Sequence, residues 1–122
     1  MSPHYNIAAL RAALGPIKCE DNPVLMRQKS RDFYWYSPVL KRQLDHVCAD
    51  LVVSPQNEGE VVAALKAAHR LGIPVTPRGA GTGNYGQAMP LSGGVVLNLA
   101  DMNRVTSIKR GRLVCEPGWR PA

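Results

Sequence analysis

The sequence is poor in the residues that build several common kinds of site. Cysteine occurs only three times in 122 residues, with no Cys-x-x-Cys pair or His/Cys cluster to indicate zinc. No apolar run reaches the roughly 18 residues of a membrane span, and the N-terminus lacks the basic start and apolar core of a signal peptide. We therefore predict no metal site, no membrane span and a cytoplasmic protein in which Cys19, Cys48 and Cys115 are reduced, buried and inert.

Catalytic combinations are equally scarce. We find no paired carboxylates and no nucleophile beside a base, so the sequence predicts no catalytic residue. The formal net charge of +6 leaves nucleic acid open as a partner. Basic residues 27–31 precede the aromatic residues 33–36, a combination that can bind single strands. Such aromatics more often pack onto a domain or line a ligand site, so we expect no nucleic-acid partner.

What the sequence does contain is a glycine-rich loop in which Gly79, Gly81 and Gly83 alternate. Glycine tolerates positive φ and lets a ligand approach the backbone closely, and successive N–H groups can then form an anion-binding concavity. Arg78 and Thr82 add side-chain donors, so a diphosphate is the expected ligand. A flexible connector between strands is the alternative. The candidate residues are Pro77, Arg78, Gly79, Ala80, Gly81, Thr82, Gly83 and Asn84.

Residues 81–86 also match Gly-x-Gly-x-x-Gly, with Asp101 twenty positions after Gly81. A dinucleotide fold of that type needs a helix that starts within the glycines. Residues 87–94 instead contain proline and paired glycine and lead into a strand. No Gly-Lys-Ser/Thr is present for a P-loop. We therefore predict that loop amides hold the phosphates without a helix dipole.

The fold prediction centres on a strand–helix–strand unit. Residues 51–53 form a short apolar strand, and Asn57 with Glu60 forms a capping box. Gly72 ends the helix, and residues 73–76 form the next strand. The predicted core face of the helix comprises Val61, Ala64, Leu65, Ala68 and Leu71. A right-handed βαβ unit places the glycine loop at the carboxyl end of its second strand, where ligands bind in open α/β sheets.

Further elements complete an α/β prediction: a small parallel sheet, flanking helices and a C-terminal hairpin. Residues 95–99 form a third strand, and residues 105–109 and 113–116 form the hairpin. An N-terminal helix is expected to start with Ser2 as N-cap and Pro3 at the first position. We divide the chain into an N-terminal helical or irregular segment, residues 1–49, and a domain of residues 50–122.

Four segments occur in an order that resembles a known family: IPVTPRGAGTG (73–83), GGVVLNL (93–99), MNR (102–104) and EPG (116–118). Residues 50–119 resemble the FAD-binding domain of the vanillyl-alcohol oxidase and para-cresol methylhydroxylase family. The similar branch contains glycolate oxidase FAD subunits and D-lactate dehydrogenases. The resemblance implies FAD as cofactor, its diphosphate in the glycine loop, and Gly118 close to it.

The resemblance also implies an oxidoreductase that acts on a 2-hydroxy acid. Two departures qualify this expectation. Residues 84–87 are bulkier than usual for the branch, and family members continue for hundreds of residues beyond the Glu-Pro-Gly turn. We therefore expect a fragment, a truncated product or one piece of a split enzyme that is inactive alone. The expected partners are a C-terminal partner fragment or further copies of the chain in a homo-oligomer. A basic nucleic-acid-binding module and a non-catalytic remnant remain as alternatives.

Some relatives attach flavin to a histidine after the loop glycines, in an Arg-x-Gly-Gly-His pattern. Thr82 occupies that position here, and His4, His46 and His69 all lie outside the loop. A hydroxyl can donate a hydrogen bond to phosphate but lacks the imidazole nitrogen that forms the covalent link. The expectation is noncovalent FAD.

Overall fold

A computed structural model describes residues 5–121. The elements in chain order are α1 (Ile7–Leu14), β1 (Lys18–Glu20), α2 (Pro23–Lys29), a 3₁₀ turn (Tyr34–Tyr36), α3 (Pro38–Leu44), β2 (Leu51–Ser54), α4 (Glu58–Arg70), β3 (Val75–Arg78), β4 (Val95–Asn98), β5 (Val105–Lys109) and β6 (Arg112–Cys115). The predicted mixture of helices, a small sheet and a C-terminal hairpin is confirmed.

The main sheet has the strand order β1-β2-β4-β3. β4 pairs in parallel with both β2 and β3, in the registers Val52↔Val96 and Thr76↔Val96. β1 is antiparallel to β2. The predicted parallel strand–helix–strand unit is therefore present, with β4 inserted between its two strands. All four residues of β2 and of β4 are buried, as expected for parallel strands covered on both faces.

The main hydrophobic core lies between this sheet and helices α1 and α4. Leu10 and Leu14 of α1 meet Ala64 and Ala68 of α4, above Val53 and neighbouring strand residues. Small alanines on α4 let the helix approach the sheet closely. Val61 and Leu71 pack at the margin of this core. The prediction for Leu65 is wrong, because this residue is 43% exposed.

The start of α4 shows a modified capping box. Asn57 Oδ1 accepts a hydrogen bond from the Glu60 N–H at 2.9 Å, as predicted. The Glu60 carboxylate accepts from the Gln56 N–H at 2.8 Å, one residue before the expected partner. The first bond satisfies an N–H group that the helix leaves free at its first turn, and the second fixes the residue that precedes the cap.

The strand predicted at residues 73–76 actually covers Val75–Arg78. The N–H of Ile73 is committed to α4, because it donates to the Ala68 carbonyl at 2.9 Å. Gly72, at φ 67°, turns the chain at this helix end. The strand therefore begins two residues later than predicted, and Pro77 and Arg78 belong to β3 instead of the loop.

The N-terminal half is more ordered than the sequence predicts. Asn6 Oδ1 accepts from the Ala9 N–H and caps α1 at Ile7, whereas the predicted Ser2–Pro3 start lies outside the described residues. Asn22 caps α2. Because β1 joins the main sheet and α1 the main core, residues on both sides of the proposed boundary at 49/50 share one core. The two-part division itself stays a prediction.

The cysteine prediction is wrong for two positions. Cys48 and Cys115 are exposed, and Cys19 is half-buried. Burial raises the pKa of the Cys19 thiol, and nearby Arg11 opposes that shift. Less of the reactive thiolate therefore forms at Cys19 near neutral pH.

The C-terminal hairpin is confirmed at nearly the predicted positions. β5 and β6 pair antiparallel, with Lys109 opposite Arg112 and Gly111 in the turn at φ 73°. Beyond it, the side chain of Glu116 accepts from the Arg104 Nε–H at 2.6 Å. The Gly118 N–H donates to the Met102 carbonyl at 2.8 Å. The Met-Asn-Arg and Glu-Pro-Gly motifs are thus brought together by the hairpin between them.

Candidate functional site

The glycine loop, residues 79–86, follows β3 at the carboxyl end of the parallel strands. Its backbone differs in detail from the expectation of several positive φ angles. Gly81 has φ 71° and Gly86 has φ 80°, but Gly79 and Gly83 do not lie in the left-handed region. Only Gly81 in the alternating glycine series therefore needs glycine for its φ angle.

The N–H groups of this loop are free over a long stretch. Within residues 5–121, no main-chain N–H of residues 79–84 donates a hydrogen bond to another protein group. The next two are occupied: Tyr85 N–H donates to Gln87 Oε1 at 3.0 Å, and Gly86 N–H donates to Asp32 Oδ2 at 2.9 Å. Six consecutive N–H groups are therefore available to an anion with several acceptor oxygens.

Part of the Arg78 guanidinium is already bound by the protein, and the role of Arg78 as a ligand donor stays a prediction. This residue is 9% exposed, and its Nη1 donates to the main-chain carbonyls of Arg31 and Lys29. Burial lowers the pKa of its guanidinium, with Asp32 raising it and Arg120 lowering it further. Arg78 is charged at neutral pH. Its contacts fasten the start of the loop to the segment after α2, while its charge still faces the site.

The packing of Arg78 gives Gly81 a second reason to be glycine. A Cβ atom at Gly81 would overlap three atoms of the Arg78 guanidinium group. Gly79 faces a different neighbour, because its Cβ would lie 3.3 Å from the Pro117 carbonyl oxygen. The start of the loop, at Gly79, therefore lies against the Glu-Pro-Gly turn. The middle of the loop, at Gly81, packs against the Arg78 guanidinium.

An open cleft of about 450 Å³ lies beside the loop, and we call it the loop cleft. Its walls comprise Gln28, Arg31, Asp32, Phe33, Arg78, Ala80, Gly81, Thr82 and Arg120. Three guanidinium groups and one carboxylate give it a net positive charge. Three of the predicted site residues are exposed: Thr82 and Asn84 in the loop, and Pro77 on β3.

Sequence reasoning missed Gln28, Arg31, Asp32, Phe33 and Arg120 as part of this cleft. The basic and aromatic character of residues 27–36 was the available signal, and it predicted packing onto the domain or the lining of a ligand site without indicating which site. Trp35 and Tyr36 stack on each other with ring centroids 4.1 Å apart and remain largely exposed, whereas Tyr34 is fully buried. Only the tertiary structure shows that Phe33 reaches the glycine loop.

Gly118 occupies a crowded turn. A Cβ atom there would overlap the main-chain carbonyls of Leu99 and Ala100. A second open cleft, of about 340 Å³, lies beside this turn and is lined by Ala100, Asn103, Gly118, Trp119 and Arg120. Arg120 lines both clefts and lies two residues after Gly118, whereas Gly118 itself lines only the second cleft.

This arrangement of donors is suited to bind an anionic ligand. Free amides and guanidinium groups suit phosphate oxygens. Among residues 5–121, no three His, Cys, Asp or Glu side chains are grouped to hold a metal ion. In the same part of the chain, no helix is both long and apolar enough to cross a membrane.

Comparison with known proteins identifies the ligand class. A family model described as FAD binding domain matches residues 49–121. The glycolate oxidase subunit GlcD of Escherichia coli K12 is 43% identical over 74 residues, which cover 57% of this chain and 14% of the relative. A D-lactate dehydrogenase of Archaeoglobus fulgidus is 46% identical over 55 residues, 45% of this chain and 12% of the relative. The chain thus spans about a seventh of the length of these curated relatives.

Solved structures share the fold. The 4-ethylphenol oxidase from Gulosibacter chungangensis superposes with a TM-score of 0.71 at 25% identity, covering 92% of this chain and 21% of that one. A p-cresol methylhydroxylase superposes with a TM-score of 0.68 at 19% identity, covering 93% and 22%. The resemblance to the vanillyl-alcohol oxidase and para-cresol methylhydroxylase family is thereby confirmed at the level of the fold.

These findings favour FAD over nucleic acid as the ligand. The family model covers the glycine loop, the third strand and the Glu-Pro-Gly turn, the segments that carried the resemblance. The free amides and net positive charge of the loop cleft fit the diphosphate of that cofactor. FAD is the cofactor of this domain, and the chain belongs to the FAD binding domain family.

Proposed function

We propose that this chain supplies the diphosphate-binding part of the FAD site in a flavin-dependent oxidoreductase that acts on 2-hydroxy acids. The run of free N–H groups at residues 79–84, beside the loop cleft, carries the proposal. The names glycolate oxidase and D-lactate dehydrogenase support the substrate class, since both substrates carry a hydroxyl next to a carboxylate. A similarity confined to about a seventh of these relatives makes the substrate a proposal for this chain.

Each part of the site has a separate role in this proposal. The amides of Ala80, Gly81 and Thr82 donate to phosphate oxygens, and the Thr82 hydroxyl adds a donor. Arg120, which lines the cleft, neutralises phosphate charge, while Gly118 keeps the neighbouring turn close. When bound, FAD supplies the two-electron oxidant for the substrate C–H bond. The chain's own residues orient the cofactor and exclude water from the phosphates.

We assign the substrate-handling residues to polypeptide outside this chain. Neither a nucleophile–base pair nor a carboxylate pair was found in the sequence, so catalysis needs a longer form of the protein or a partner polypeptide. We also propose a homo-oligomer, which would cover exposed surfaces of the chain without supplying the missing catalytic residues. A cytoplasmic location accords with the free state of Cys19, Cys48 and Cys115.

Arg120→Ala is expected to weaken FAD binding by about fivefold, because it removes one partly solvent-screened charge from the cleft. FAD titration followed by flavin fluorescence measures this effect, and the variant should also show a shallower salt dependence. Lys41→Ala with Arg42→Ala is the matched control, because both side chains are exposed on α3 and neither lines the cleft. Equal losses in the two proteins, or no FAD binding by the parent, would contradict the assignment.

FAD is expected to be held without a covalent bond to this segment. Thr82 occupies the position of the flavin-linked histidine and cannot form that bond. Acid precipitation of FAD-loaded protein should leave all yellow colour in the supernatant, and mass spectrometry should detect only the unmodified chain. A flavin mass retained on any peptide of residues 1–122 would show the prediction wrong.

A further inference from the structure

Asp32 is a buried carboxylate outside residues 49–121, the part of the chain that the family model matches. Its side chain is only 6% exposed. A carboxylate in such a place is costly unless hydrogen bonds and a nearby positive charge compensate for the lost water. The question is therefore what Asp32 gains from this position.

Both carboxylate oxygens of Asp32 accept main-chain hydrogen bonds. Oδ1 accepts from the Tyr34 N–H at 2.8 Å, within its own segment. Oδ2 accepts from the Gly86 N–H at 2.9 Å, 54 residues away in the glycine loop. One side chain thus connects the 3₁₀ turn to the end of the loop, and the charge of Arg78 compensates for its burial.

Two neighbouring contacts strengthen the connection. The Phe33 N–H donates to the Gly83 carbonyl at 2.9 Å. The Arg78 guanidinium donates back to the carbonyls of Lys29 and Arg31. We call residues 29–33 the clasp. It holds the loop at its start through Arg78 and at its end through Gly83 and Gly86.

The free and the fastened parts of the loop are complementary. The N–H groups of residues 79–84 have no protein acceptor among the described residues, whereas Gly86 N–H is taken by Asp32. Tying both ends while leaving the middle donors open sets their directions before a ligand arrives. Preorganisation of this kind raises affinity because less ordering is required on binding.

We propose that Asp32 is a positioning residue for the cofactor site: its carboxylate fixes the Gly83–Gly86 end of the glycine loop so that the free amides point together into the loop cleft. This inference rests on the proposed function of that loop. Asp32 contacts the cofactor's phosphates only through the loop, and like charge keeps its carboxylate away from them.

The test compares Asp32→Ala, Asp32→Asn and Tyr34→Phe in the full chain. Asp32→Ala leaves two N–H groups without an acceptor, so FAD affinity should fall by about tenfold or more. Asp32→Asn keeps one acceptor oxygen, so its FAD affinity should lie between that of Asp32→Ala and that of the parent. Tyr34→Phe removes the hydroxyl bond to Asp45 but retains the main-chain bond to Asp32, so it controls for general destabilisation.

Amide hydrogen exchange of the FAD-free proteins, followed by NMR, supplies a readout independent of the cofactor. Gly86 should exchange faster in Asp32→Ala than in the parent, while Tyr34→Phe should keep parental protection there and parental FAD affinity. Parental FAD affinity in Asp32→Ala overturns the positioning role and leaves the proposed function standing. A parent with protected Gly86 that binds no FAD overturns the proposed function, and the positioning role with it.

Discussion

Gly81→Val is expected to abolish FAD binding, with the dissociation constant raised by about a hundredfold or more. A β-branched residue at φ 71° is strained by about 1–3 kcal/mol. Its Cβ would also overlap the Arg78 guanidinium, which ties the loop to the clasp. The substitution therefore alters the loop backbone and its anchor together. Flavin fluorescence titration measures the loss.

Gly111→Val is the matched control for this prediction. Gly111 has nearly the same φ, 73°, but a Cβ atom there meets no other atom within 4 Å. The control thus carries the same kind of backbone strain in the hairpin turn without touching Arg78 or the cleft. It should lower the melting temperature and leave FAD affinity unchanged. Equal FAD affinity in Gly81→Val and the parent would remove the loop from the cofactor site.

The 122-residue chain alone is expected to show no turnover with 2-hydroxy acids, a broad thermal transition and concentration-dependent association. Its hairpin is a two-stranded sheet, which is marginally stable in isolation. Ile108 is 76% exposed there, and Leu113 and Val114 are also exposed. Exposed apolar strands with free edges promote pairing between chains. Calorimetry and sedimentation velocity measure both effects.

Ile108→Lys separates association from folding. The side chain is already exposed, so lysine should cost the fold little while placing a charge on the hairpin face. The variant should sediment as a smaller species than the parent at the same concentration, with unchanged FAD affinity. A sharp two-state transition of a monomeric parent, or substrate-dependent bleaching of its flavin, would contradict the prediction.

Local chemistry explains why much of the fold followed from the sequence. The βαβ unit carries its own signals, because Asn57 begins α4, the apolar spacing gives its buried face, and Gly72 ends it. The hairpin around Gly111 follows from strand alternation and a single turn. These features depend on neighbours in the chain, so a linear pattern contains the necessary information.

Details that depend on distant contacts were predicted less well. Leu65 matches the periodicity of the core face, but the packing of α1 and the sheet against α4 leaves it partly exposed. β3 starts two residues late because Ile73 N–H is taken by α4. Arg78, a predicted ligand donor, also donates through Nη1 to two clasp carbonyls, a second role that the sequence pattern does not indicate. Each outcome depends on a competing partner that the linear pattern does not reveal.

The sequence by itself determined the loop, its place after a parallel strand and the family resemblance, because glycine spacing and strand–helix–strand order are local properties. Only the tertiary structure decided how the loop is held and which side chains complete the cleft. Asp32 and Gly86 are 54 residues apart, yet they share a hydrogen bond. This pair forms only because the fold brings β3 and the following loop beside the segment after α2. Burial and hydrogen-bond geometry depend on such folded neighbours, which a linear pattern does not contain.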